Sequence, residues 1–159
     1  HTVSPSMDIQ VASNFERLIF DACSSDSKKI SDLMEHFNKK GEFRLEKKEL
    51  EKIKDDFYVE SLSEEETKLI IKEAYLNNKI LIDPHTAVAI GVIKKLKLEG
   101  NNIVLATAHP SKFYETVERE TGIRPELPEN LKNILLKKEK YKKLPKDLKE
   151  VQNYILKNI

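Results

Sequence analysis

Apolar residues recur along the first third of this chain with a helical period. Val11, Phe15, Leu18, Ile19 and Ala22 fall on one face, the spacing of an amphipathic helix. Ser13 followed by Glu16 reads as a capping box at its start. Ile30, Leu33, Met34 and Phe37 predict a second helix that stops at Gly41, a residue suited to a left-handed cap. Leu45 to Lys54 is charged and weakly amphipathic and is read as a third helix. Residues 1–56 are therefore expected to form a helical segment.

The pattern changes at Phe57. Phe57-Tyr58-Val59-Glu60-Ser61 reads as a strand. Ser63 with Glu66 makes a capping box that opens a helix through Thr67, Ile70, Ile71, Ala74 and Tyr75, ended by Asn77-Asn78. Ile80–Ile82 reads as a short buried strand. Asp83 can cap the next helix, with Pro84 in its first turn, where a missing N–H costs nothing. That helix, Pro84 to Lys97, is apolar on most sides, as expected of a helix buried on more than one face. Gly100 ends it, Ile103-Val104-Leu105-Ala106 reads as a third strand, and a helix from Ser111 to Thr121 closes at Gly122. This alternation predicts an α/β core over residues 57–122: a short parallel sheet with helices on both faces. The tail, residues 123–159, is punctuated by Pro125, Pro128 and Pro145, with helices expected near Glu129–Lys138 and Asp147–Asn158. The whole is expected to be a single domain.

Composition narrows the picture. The 159 residues are enough to bury a core without disulfide or metal staples. Net charge is +1, from 28 basic and 27 acidic residues, so nothing global favours a nucleic-acid or anionic-membrane partner. The tail is rich in lysine, from Lys132 to Lys149, and Tyr141 offers a stacking partner for nucleic acid. Glu129, Glu139, Asp147 and Glu150 are interleaved with those lysines, which favours a solvated face instead. A single cysteine, Cys23, fits a reducing, cytoplasmic setting. The longest apolar run, Thr86 to Ile93, is far too short to span a bilayer. The start is neither a signal peptide nor an anchor, and without an initiator Met it looks like the edge of something larger.

Two polar clusters sit where predicted strands turn into helices: Asp83-Pro84-His85-Thr86 and Thr107-Ala108-His109-Pro110. Ligands collect beyond the carboxyl ends of parallel strands, so both clusters are candidate walls of one crevice. The competing reading is structural, with Asp83 and Thr107 satisfying backbone donors at turns. Gly41, Gly91, Gly100 and Gly122 are isolated, so no Gly-rich phosphate loop is present. His1, His36, His85 and His109 make no metal motif.

The clusters carry a family resemblance. Asp83-Pro84-His85-Thr86-Ala87-Val88 and Val104-Leu105-Ala106-Thr107-Ala108-His109-Pro110-Ser111-Lys112-Phe113 each resemble a threonine synthase signature. So do Thr2 to Gln10 with Ser13-Asn14-Phe15-Glu16-Arg17-Leu18, and Pro125-Glu126-Leu127-Pro128 with the later Leu144-Pro145. The blocks follow family order across nearly the whole chain. The resemblance implies the C-terminal portion of a fold type II pyridoxal phosphate enzyme, a carbon–oxygen lyase converting O-phosphohomoserine and water to threonine and phosphate. It assigns Thr107 a cofactor-binding role, its hydroxyl hydrogen-bonding the pyridine nitrogen. Asp83, His85, Thr86 and His109 are then walls of the site without individual steps, and no residue here is expected to be catalytic. The family's Schiff-base lysine and phosphate-binding glycine loop have no counterpart in these residues. The chain alone is therefore expected to be inactive and not to hold the cofactor. The alternative is an interaction module that assembles with a separate N-terminal half or with itself. A nucleic-acid role for the tail ranks last.

Overall fold

The computed structural model describes residues 2–9 and 11–159, and its regular structure is helical. Seven α-helices follow in order: α1 (Ser13–Ala22), α2 (Ser27–Lys40), α3 (Lys47–Asp56), α4 (Glu64–Asn78), α5 (Pro84–Leu96), α6 (Tyr114–Thr121) and α7 (Leu148–Leu156). Short 3-10 turns span Pro110–Phe113, Glu129–Leu131 and Ile134–Leu136.

The first three helices form one packing group. Ile19, Cys23 and Ile30 are buried together, flanked by Phe20, Leu33, Met34, Phe43 and Leu45. The N-cap of α1 is Ala12 and makes no side-chain bond, so the expected capping box at Ser13 is not formed. Asp26 caps α2 by accepting from Lys29 N at 3.0 Å, and Gly41 ends the helix at φ 77°. In α3 the Glu49 carboxylate is buried, accepting from Glu46 N at 2.8 Å and from Lys29 Nζ at 2.7 Å. The Lys29 bond lies between α2 and α3. It holds the Glu49 carboxyl below the usual carboxylate range, and its two carboxylate partners, Glu46 and Glu49, raise Lys29.

The second group is α4, α5 and α6. Ser63 and Glu66 form the expected reciprocal cap of α4, with Glu66 N to Ser63 Oγ at 3.1 Å and Ser63 N to Glu66 Oε2 at 2.6 Å. Ile70, Ile71, Ile82 and Ala87 make the core between α4 and α5, with Leu62, Ala74 and Ile90 at its margin. Lys95 Nζ donates to Ser61 O at 2.9 Å, and Ile71 packs near Ala87, so α4 and α5 run in opposite directions.

The sheet expected over residues 57–122 does not form: no residue among those described is in a strand. Val59 is 82% exposed and Ile103 is 90% exposed, so two of the three β-rich segments lie in solvent. Ile82 is buried, but against helices. The physical reason is that β-branched and aromatic content records fitness for a pleated, half-buried surface. A strand also needs a neighbour to complete its ladder, and these segments have none among the described residues. The helices expected on two faces of a sheet pack directly on one another instead. The α/β class, and with it the partial fold type II sheet, is therefore corrected to all-helical for these residues.

Contacts divide the chain into two units, one ending at Glu126 and the other Leu127–Ile159. Within the second, Asp147 caps α7 by accepting from Glu150 N at 3.0 Å, and Lys142 Nζ lies 4.6 Å from the Tyr154 ring centroid. The helix expected near Glu129–Lys138 is replaced by two 3-10 turns. No residue of that unit is buried, so its apolar positions have no core to drive a longer helix. Among the described residues no helix is long and apolar enough to cross a membrane.

Candidate functional site

The site begins with the start of α5. Asp83 is extended, at φ −80° and ψ 162°, and Pro84 fills the first helical turn. A carboxyl group at this position meets the free N–H groups and positive end of a helix. Asp83 Oδ1 accepts from His85 N at 2.9 Å and lies 2.8 Å from His85 Nδ1. Its other oxygen accepts from Thr86 N at 3.4 Å and from the Thr86 hydroxyl. Asp83, His85 and Thr86 are all buried. A buried carboxyl is tolerated only when its oxygens are satisfied, and here both are.

The far side of His85 reaches the beginning of the chain. Its Nε2 lies 3.1 Å from the backbone nitrogen of Ser6, 79 residues away. Ser6 belongs to a turn in which Met7 N donates to Ser4 O at 2.8 Å and Asp8 N to Pro5 O at 3.2 Å. Asp8 closes it by accepting from Thr2 N at 2.7 Å, a bond that holds its carboxyl below the usual range. Ser4 is buried beneath the turn.

The second cluster adjoins the first. His109 caps the Pro110–Phe113 turn: its Nδ1 accepts from Ser111 N at 3.3 Å and lies 2.7 Å from Ser111 Oγ. Phe113, from the same turn, meets the His85 ring edge-on at 4.8 Å between centroids. The segment with Thr107 and His109 is thus tied to the Asp83–Thr86 node through Phe113. His109 and Thr107 are solvent-exposed, whereas Asp83, His85 and Thr86 are sealed. A cavity of about 470 Å³ lies elsewhere, lined by Asp26, Lys29, Asp32, His36 and Arg44 among others, and none of the sequence-selected residues lines it. Among the described residues no group of three or more His, Cys, Asp or Glu side chains could hold a metal. Sequence reasoning gave no role to the backbone of Ser6 or to the Phe113 ring; only the family-like blocks containing them marked the two segments.

This arrangement of helices recurs inside larger chains. It superposes on a PLP-bound structure from Brucella melitensis with a TM-score of 0.83 and 37% identity, covering 98% of this chain and 34% of that one. In sequence and fold the chain matches the C-terminal portion of threonine synthase. The family model described as "Threonine synthase, C-terminal" matches residues 86–155. Threonine synthase of Pseudomonas aeruginosa is 35% identical over 157 residues, which is 97% of this chain and 34% of the relative. The yeast threonine synthase crystal structure aligns with a TM-score of 0.79 and 30% identity, over 100% of this chain and 37% of that one. The chain thus spans about a third of the length of the relatives it matches.

The side chains present can be tested against pyridoxal phosphate. A hydroxyl, such as that of exposed Thr107, suits a ring nitrogen, since it donates one hydrogen bond without carrying charge. Thr107 lies on an exposed segment. The donor set fits the ring-nitrogen end of the group. No glycine cluster here could cradle its phosphate.

Proposed function

We propose that this chain supplies one wall of a threonine synthase site, in which O-phosphohomoserine and water become threonine and phosphate. Pyridoxal phosphate, when bound, supplies the electron sink for carbanion chemistry. Thr107 would orient the group by donating a hydrogen bond from its hydroxyl to the ring nitrogen. Asp83, His85 and Thr86 hold the start of α5 rigid behind it, and His109 shapes the rim. The carrying observation is the fold match at TM-score 0.83 over 98% of the chain. These residues alone do not turn over substrate, because the anchoring amine and phosphate loop are not among them. The setting is cytoplasmic.

Exposed apolar side chains support a second reading, association with the rest of a threonine synthase. Phe57, Tyr58 and Val59 in one segment and Ile103 and Leu105 in another all face solvent, and exposed apolar surface marks interaction sites where it is contiguous. The test is phosphate release from O-phosphohomoserine in the presence of pyridoxal phosphate. The chain is assayed alone and with an amino-terminal threonine synthase portion. No turnover alone and turnover in the mixture are expected. Turnover by the chain alone refutes the claim of inactivity, and a mixture that neither associates nor turns over refutes the assembly.

A further inference from the structure

We propose that His85 is a positioning residue: with its proton on Nδ1, it relays the Asp83 carboxyl to the backbone N–H of Ser6 and fixes the Thr2–Asp8 turn beside the start of α5. The argument is one of donors and acceptors. A backbone N–H can only donate, so Nε2 of His85, 3.1 Å from Ser6 N, must carry the lone pair. The neutral ring then has its proton on Nδ1, where Asp83 Oδ1 accepts it at 2.8 Å. The same oxygen accepts His85 N at 2.9 Å, so the imidazole is held at its backbone and at its ring. The two ring nitrogens are distinct, and the partner of one sets the state of the other.

Three segments meet at this ring. The turn from Thr2 to Asp8 lies on Nε2, the cap of α5 on Nδ1, and Phe113 packs edge-on against the ring at 4.8 Å. Phe113 ends the 3-10 turn capped by His109, two residues after Thr107. A residue that only filled space here could be replaced by another flat ring. A relay needs a donor on one side and an acceptor on the other at fixed separation, which imidazole provides and phenyl does not.

The tautomer and the turn are properties of this chain and stand apart from the proposed reaction. Relevance to turnover rests on the reading of Thr107 and its neighbours as a cofactor wall. Nitrogen-15 NMR of the full chain at neutral pH tests the relay directly. The expected result is an unprotonated signature at His85 Nε2 and a protonated one at Nδ1. A protonated Nε2 overturns the proposal without any variant. Amide exchange at Ser6 then separates relay from packing. His85→Asn keeps a donor near Asp83 but cannot reach Ser6, and His85→Phe keeps the packing against Phe113 alone. Both are expected to speed Ser6 exchange roughly tenfold, the effect of one lost hydrogen bond. His85→Asn alone is expected to keep the α5 start protected. Unchanged Ser6 exchange in both variants overturns the relay. In the assembled enzyme, His85→Asn is expected to lower phosphate release. Normal turnover by that variant, with the expected His85 signatures in the unsubstituted chain, removes the link to the reaction and leaves the relay standing.

Discussion

Replacing Gly91 with alanine tests how α5 is seated. Gly91 is buried in the middle of α5 against Leu62, the half-buried residue just before the α4 cap. An added Cβ would sit 3.0 Å from Leu62 Cδ1 and 3.1 Å from Cγ, and closer still to Cδ2. Two effects then oppose each other. Alanine in a helix interior gains about 1 kcal/mol over glycine. Forcing a methyl group into a filled position costs about 1–3 kcal/mol. The neighbour is the end of a side chain that can turn aside, so the cost stays within that range. Gly91→Ala is therefore expected to lower stability by about 0–2 kcal/mol. In a Leu62→Ala background the obstruction is gone and only the helical gain remains, so the same substitution should stabilise by about 1 kcal/mol. The coupling between the two positions equals the packing cost, about 1–3 kcal/mol. Urea unfolding followed by circular dichroism on the four variants measures it. An identical gain from Gly91→Ala in both backgrounds would show that Leu62 does not fill this position.

Asp83→Ala removes the α5 cap and leaves the buried Thr86 hydroxyl and His85 Nδ1 without their acceptor. A loss of about 2–4 kcal/mol is expected from cap and orphaned donors together, read from thermal denaturation. Ile71 is fully buried in the α4–α5 core, and Ile71→Ala should cost about 2–5 kcal/mol in the same measurement. Ser63→Ala should cost about 1 kcal/mol, because Ser63 Oγ is the acceptor for Glu66 N. Glu49 has a lowered folded pKa, chiefly from its hydrogen bond with Lys29. Its contribution is fully present above the ordinary carboxylate range and fades as pH falls through the lowered value. Glu49→Gln should flatten the acid limb of a stability–pH profile, and an unchanged limb would refute the assignment.

What the sequence revealed was local chemistry. Ser63 with Glu66, Asp83 before Pro84, and glycine at 41 and 122 are short-range devices, and each behaves in the structure as its type dictates. The capping box at Ser13 failed by one position because α1 begins from Ala12, where no side chain caps it. Phe57–Ser61 and Ile103–Ala106 misled for a different reason. Their composition suits a strand, but pairing is a property of two segments, and one of them must come from elsewhere in space. In helices the hydrogen-bond partner is four residues away, so the pattern and the structure it makes are written in the same window.

The site shows the same division at higher resolution. Asp83 as a cap was legible because its partners, His85 N and Thr86 N, are its own neighbours in sequence. That made the structural reading of Asp83 attractive, and the structure shows it performing that task. The cap does not exhaust the residue, however, since Oδ1 also meets the His85 ring, and that ring meets Ser6 from 79 residues away. No spacing rule announces such a bond. It follows from placing a residue with both a donor and an acceptor at a helix start, where one nitrogen is engaged by the cap and the other is free to choose a distant partner. A phenylalanine at position 85 would satisfy the burial, the helix and the contact with Phe113, and would still leave the Thr2–Asp8 turn without its tie to α5. The identity of residue 85 is thus set by both ring nitrogens: one meets Asp83 two residues away, and the other makes the contact that local pattern does not contain.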